Sequence, residues 1–123
     1  MRTAFAVLLM LHGLAHLPGF LVPWRLLNVA DMPYATTLLG GRVDVGTVGI
    51  RMFGILWLLL AVAFLGLGAG ALIDRESWPT MVAVVSASSL LLSMLELPAA
   101  RIGVAVNLTI LVALAFAVRM GWA

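Results

Sequence analysis

Two histidines, His12 and His16, stand four residues apart in an otherwise apolar stretch, LHGLAHLPGF at 11–20, and they are the only two of the chain. At helical spacing they stack on one face, with Phe20 continuing the stripe. An HxxxH pair suggests a metal, but zinc or iron needs at least a third protein ligand, and Glu96 is the one candidate within an apolar segment. Membrane di-iron desaturases and hydroxylases also use such a box, yet they require several further histidines that this chain lacks. A haem held by both rings is excluded, because axial ligands approach opposite faces of the iron and these two leave the same side of one helix. One histidine with a methionine such as Met52 or Met94 is the remaining haem geometry. The plainer reading is a pair of neutral imidazoles bonded to Ser or Asn across a helix interface, at about 0.6 to 2 kcal/mol each.

Few other polar side chains interrupt the apolar segments. Ser86, Ser89, Ser93 and Glu96 follow one another at spacings of 3, 4 and 3, one continuous helical stripe. Arg51 lies near the start of one apolar run, and Arg101 and Asn107 near the start of another.

The elements that must position these residues follow from composition. Of 123 residues 64% are hydrophobic and 10% charged, far from the roughly 25% charged composition of soluble domains. The chain is read as all-α, an integral membrane four-helix bundle in a single membrane domain at 1–123, left-handed or mixed in its packing, with spans at about 3–22, 47–73, 78–97 and 102–120. All seven basic residues are arginine, the net charge is +2, and a pI near 10.5 reflects membrane-flanking arginines rather than nucleic-acid binding. With no cysteine, disulfides, thiol redox chemistry and iron–sulfur clusters are excluded.

The first run also has the positive start and small residues (Gly13, Ala15) of a cleaved signal peptide, but it continues past Ala15 and further spans follow. Pro18 and Pro23 kink and end it, with Trp24 and Arg25 as an interfacial anchor. Residues 28–46 form a polar connection that suits either a short interfacial helix or a hairpin. The second span ends in GLGAG at 66–70, where Gly66 and Gly70 offer a GxxxG surface for close helix approach, to a second copy or to a membrane partner. Asp74, Arg75 and Glu76 form a tight charged turn. Ser77 and Pro79 open the third span, and residues 98–100 turn into the fourth, which closes at Arg119 and Trp122. Such short connections make spans two, three and four antiparallel neighbours.

Counting 1.5 Å per residue from Arg2 puts His12 about 15 Å and His16 about 21 Å deep. Ser93, Glu96, Arg51, Arg101 and Asn107 fall in that same half of the bilayer, towards the long loop. A charge facing lipid costs roughly 2.5 to 3.5 kcal/mol on insertion scales, so mutual pairing, as of Arg51 with Glu96, or a wet cavity is the economical arrangement. Arginines divide three against four between the two sides, which taken alone does not favour a cytoplasmic amino terminus. The long first loop is read as external and both termini as cytoplasmic, in the inner membrane of a bacterium.

The stretch 12–20, HGLAHLPGF, together with RIGVAVN at 101–107, resembles a group of small uncharacterised bacterial four-span membrane proteins. One span, a long loop and then three closely connected spans resembles, more distantly, the layout of DoxX-like proteins. The resemblance implies His12, His16, Arg101 and Asn107 as distinguishing residues and implies no particular reaction.

These residues lead to an expected small-molecule binding or transport-accessory protein, with proton-linked transport as one form. His12, His16, Arg51, Ser93, Glu96, Arg101 and Asn107 would line a polar pocket for an apolar or amphipathic, lipid-like or quinone-like ligand. The expectations set against it are a structural subunit of a larger membrane complex and a membrane enzyme or metalloprotein built on the HxxxH pair. No cofactor is specified by these residues.

Overall fold

The computed structural model describes residues 2–73 and 76–122. The chain runs through α1 (Arg2–Ala15), α2 (Leu17–Leu21), a hairpin of β1 (Thr37–Leu38) and β2 (Val43–Asp44), then α3 (Gly46–Leu72), α4 (Trp78–Leu95) and α5 (Arg101–Arg119). Four helical stretches, Arg2–Leu21, Gly46–Leu72, Trp78–Leu95 and Arg101–Arg119, are long and apolar enough to cross a membrane. By length and composition this is a multi-pass helical membrane protein. Asp74 and Arg75, two of the three residues of the expected charged turn, lie outside the described residues.

The break between α1 and α2 falls at His16 and has a local cause. Pro18 has no N–H and its ring excludes a helical carbonyl four residues earlier. The ladder tightens, with His16 N–H donating to the Gly13 carbonyl at 3.1 Å and Gly19 N–H to the His16 carbonyl at 3.0 Å. The His12 carbonyl, which would have received the His16 amide in a regular helix, is left without it. In an apolar interior a freed carbonyl needs another donor.

α1 packs chiefly along α3, α3 touches α4, and α4 lies along α5. The α1–α3 approach is made by two glycines. A Cβ on Gly13 would stand 2.9 Å from the Ala61 carbonyl oxygen, and one on Gly68 would stand 2.9 Å from the Ala6 carbonyl oxygen and 2.5 Å from Met10 Cγ. Gly66 and Gly70 have nothing within 4 Å of such a Cβ. Within the chain, close helix approach therefore uses the glycine between them, and the GxxxG pair faces outward. The core beside this seam is Ala6, Leu9, Phe64, Leu67, Ala71, Trp78, Val82, Ile110 and Leu114.

The polar connection, which sequence leaves open between helix and hairpin, is a hairpin. Thr37 pairs with Asp44 and Leu38 with Val43, and the reversal uses left-handed backbone at Leu39, Gly40 and Gly41. It is fastened to the bundle where Leu39 N–H donates to the Leu95 carbonyl at 2.8 Å, one of the carbonyls that a helix end leaves unpaired. Asp44 accepts from Gly46 N–H and from the Thr36 hydroxyl, each at 2.9 Å, and these bonds hold its carboxyl below the usual range. The hairpin thus closes the loop-side end of the bundle.

Candidate functional site

The helix break builds the site. His16 Nδ1–H donates to the freed His12 carbonyl at 2.8 Å. A carbonyl only accepts, so the proton of His16 is fixed on Nδ1 and its Nε2 is left as an acceptor. That nitrogen lies 2.7 Å from Ser89 Oγ on α4, which must donate to it. Ser89 Oγ in turn accepts from Asn107 Nδ2 at 2.8 Å. The second Asn107 amide hydrogen goes to the Gly103 carbonyl, also 2.8 Å, so Oδ1 is the face turned to His12. His12 Nε2–H donates to it at 3.2 Å. The result is a directed circuit through three helices: His12 to Asn107, Asn107 to Ser89, Ser89 to His16, and His16 back to the His12 backbone. It is complete with both imidazoles neutral.

All four of these residues are buried. Aromatic rings complete the wall: the two imidazoles meet edge to face at 4.4 Å between centroids, and Phe64 sits against both, at 4.8 Å from His12 and 5.3 Å from His16. Trp57 packs edge-on against His16 at 5.0 Å, and its Nε1–H donates to Glu96 Oε1 at 2.8 Å. Gly19 makes that placement possible, because a Cβ there would lie 2.6 Å from the indole Cγ.

A cavity of about 310 Å³ opens on this wall, lined by His12, His16, Trp57, Met32 and the start of α5 at Ala99, Ala100 and Gly103 among others. A second, of about 190 Å³, lies beneath the hairpin and carries Glu96 and Tyr34 on its lining. Met32 and Ala99 line both, so the two spaces adjoin. Apart from the two imidazoles and Trp57, the first of them is walled by apolar side chains and backbone.

The residues expected to form the pocket divide into two groups. His12, His16 and Asn107 are brought together. Glu96 is reached from them through Trp57 and lines the adjoining cavity. Ser93 is fully buried beside Gly103, its Oγ 2.9 Å from where a Cβ would stand, and neither it nor Ser86 has a hydrogen-bond partner for its hydroxyl among the described residues. Ser89 is the stripe member that joins the circuit. Arg51 is exposed, its guanidinium carbon 5.4 Å from the Trp24 ring centroid, while Trp24 Nε1–H donates to its backbone carbonyl at 3.1 Å. Arg101 is exposed at the first position of α5. The expected Arg51–Glu96 pair is not formed. Long arginines reach towards the interface more cheaply than they enter a dry interior. Nor do three His, Asp or Glu side chains converge in a metal-ligating group among the described residues.

Ser89 and Trp57 are the site residues that sequence does not single out. Ser89 was one of four equivalent stripe positions, and Trp57 lies in a span whose neighbours are all apolar. The available signal was the indole N–H itself, a donor at membrane depth that requires an acceptor. Glu96→Gln keeps an oxygen for that N–H and is expected to be at least as stable as the parent. Glu96→Leu strands it and is expected to lose about 1 to 3 kcal/mol, a difference that thermal unfolding of the two variants in detergent micelles would show.

Compared with known proteins, the chain matches no family model, no curated sequence and no solved structure.

Proposed function

We propose that this is an inner-membrane protein of a bacterium, with cytoplasmic termini, whose histidine-walled cavity binds a small amphipathic molecule. The observation that carries the reading is the cavity of about 310 Å³ set against a closed circuit of buried polar groups. A purely structural circuit could be packed over with side chains. Here His12 and His16 both border open space, next to apolar walls that suit a hydrocarbon body. If the ligand is carried rather than held, His12, His16 and Glu96 are the groups available to move a proton with it.

A short amphipathic probe tests this. The purified chain in detergent is titrated with 4-butylphenol and its unfolding temperature followed, alongside Ala100→Phe, which adds a ring at a residue that lines the cavity and takes no part in the polar circuit. A saturable rise in the parent and none in Ala100→Phe is expected. An equal rise in both would place the probe elsewhere and remove the basis of the reading.

A further inference from the structure

The histidine side of this cavity has a marked imbalance between donors and acceptors. Its polar side chains are His12, His16 and Trp57, and each N–H is already engaged: His12 Nε2–H by Asn107, His16 Nδ1–H by the His12 carbonyl, Trp57 Nε1–H by Glu96. Behind them both Asn107 amide hydrogens are taken by Ser89 and Gly103, and the Ser89 hydroxyl hydrogen by His16. What remains on these side chains is lone pairs. His12 Nδ1 receives no hydrogen bond from any described residue, and Asn107 Oδ1 has a second acceptor position. Shifting the His12 proton to Nδ1 would not supply a donor without cost, because Asn107 Oδ1 would then lose the hydrogen bond that it accepts. Backbone amides without a partner among the described residues occur at Ala99, Ile102 and Gly103, which line the same cavity on its α5 side, as at any helix start, so the imbalance belongs to the histidine side alone.

We infer that the histidine wall selects its ligand by a hydrogen-bond donor: an apolar molecule with a hydroxyl head, such as an alcohol, an alkylphenol or a quinol, over one whose head only accepts, such as an ether, an ester or a quinone. The inference rests on the pocket reading above and narrows it. A hydroxyl turned towards His12 replaces the bond it gave to water. An accepting oxygen in the same place meets lone pairs, in surroundings too apolar to screen them.

The test uses a matched pair on the unaltered full chain, 4-butylphenol against 4-butylanisole, which differ by a methyl group on the head oxygen and hence by the donor. Binding is followed by the ¹⁵N signals of histidine-labelled protein, in which two rings have to be resolved. The phenol is expected to bind about tenfold more tightly, the worth of one net hydrogen bond, and to shift the unprotonated nitrogen of His12 while leaving the protonated nitrogen of His16 in place. Equal affinity, or tighter binding of the ether, overturns the donor rule and leaves the pocket standing. Binding of neither probe overturns the pocket reading and the donor rule with it.

Discussion

Gly13→Val is expected to lower the stability of the chain by about 3 kcal/mol or more, the upper range for overpacking a close contact. The Cβ that any such residue adds stands 2.9 Å from the Ala61 carbonyl oxygen, 3.0 Å from Phe64 Cβ and 3.3 Å from Leu65 N. Two of those three atoms are helix backbone and cannot rotate away, so relief requires α1 to move off α3. That displacement also lifts His12 and His16 from Phe64 and opens the seam whose other close point is Gly68. An alanine pair separates the clash from helix propensity. Replacing glycine by alanine in a helix gains up to about 1 kcal/mol where there is room, and Gly66 has nothing within 4 Å. Gly66→Ala is therefore expected to stabilise slightly, and Gly13→Ala to destabilise despite the same propensity gain. Equilibrium unfolding in mixed micelles measures all three; equal effects at 13 and 66 would mean that α1 and α3 do not approach as described.

That contrast also marks what the sequence could and could not disclose. The four apolar runs were legible because length and hydropathy are properties of a segment by itself, and the expected 47–73 and 102–120 lie within a residue of Gly46–Leu72 and Arg101–Arg119. Relative level along the bundle was legible for the same reason: a fixed rise per residue brings His12 and Asn107 to similar levels from opposite ends, and they meet at 3.2 Å. Rotation about each helix axis was not. In GLGAG the GxxxG pattern draws attention to Gly66 and Gly70, but the face turned to α1 is decided by where Gly13 and Met10 sit, and that face carries Gly68. The serine stripe names a side of α4 without saying which hydroxyl meets His16. Arg51 and Arg101 were expected in the same half of the bilayer as the site, yet both are exposed, as long side chains that keep their charge out of an apolar interior can be. The hairpin's hold on Leu95 is a backbone bond, which leaves no trace in side-chain pattern.

The second large effect is expected at the centre of the circuit. Asn107→Leu, close in volume, should lose about 2 to 4 kcal/mol. Asn107 accepts from His12 and donates both to Ser89 and to the Gly103 carbonyl. Ser89 can still donate to His16 without it, and the Gly103 carbonyl can still receive the helical amide of residue 107. For His12 a move of the proton to Nδ1 offers little, since Nε2 would then be a buried acceptor without a donor. Its Nε2–H is buried with no other acceptor among the described residues, a loss of about 1 to 3 kcal/mol added to the interhelical bonds themselves, at up to about 1.7 kcal/mol each. Ser86→Ala supplies the comparison, since its buried hydroxyl has no hydrogen-bond partner among the described residues and removing it should be neutral or stabilising. A Leu variant as stable as the parent, or a Ser86→Ala loss as large as that of Ser89→Ala, would show that the stripe contributes packing alone. The expected ordering instead makes the circuit the element that fixes α1, α4 and α5 in rotation, and so sets the acceptor face presented to the cavity.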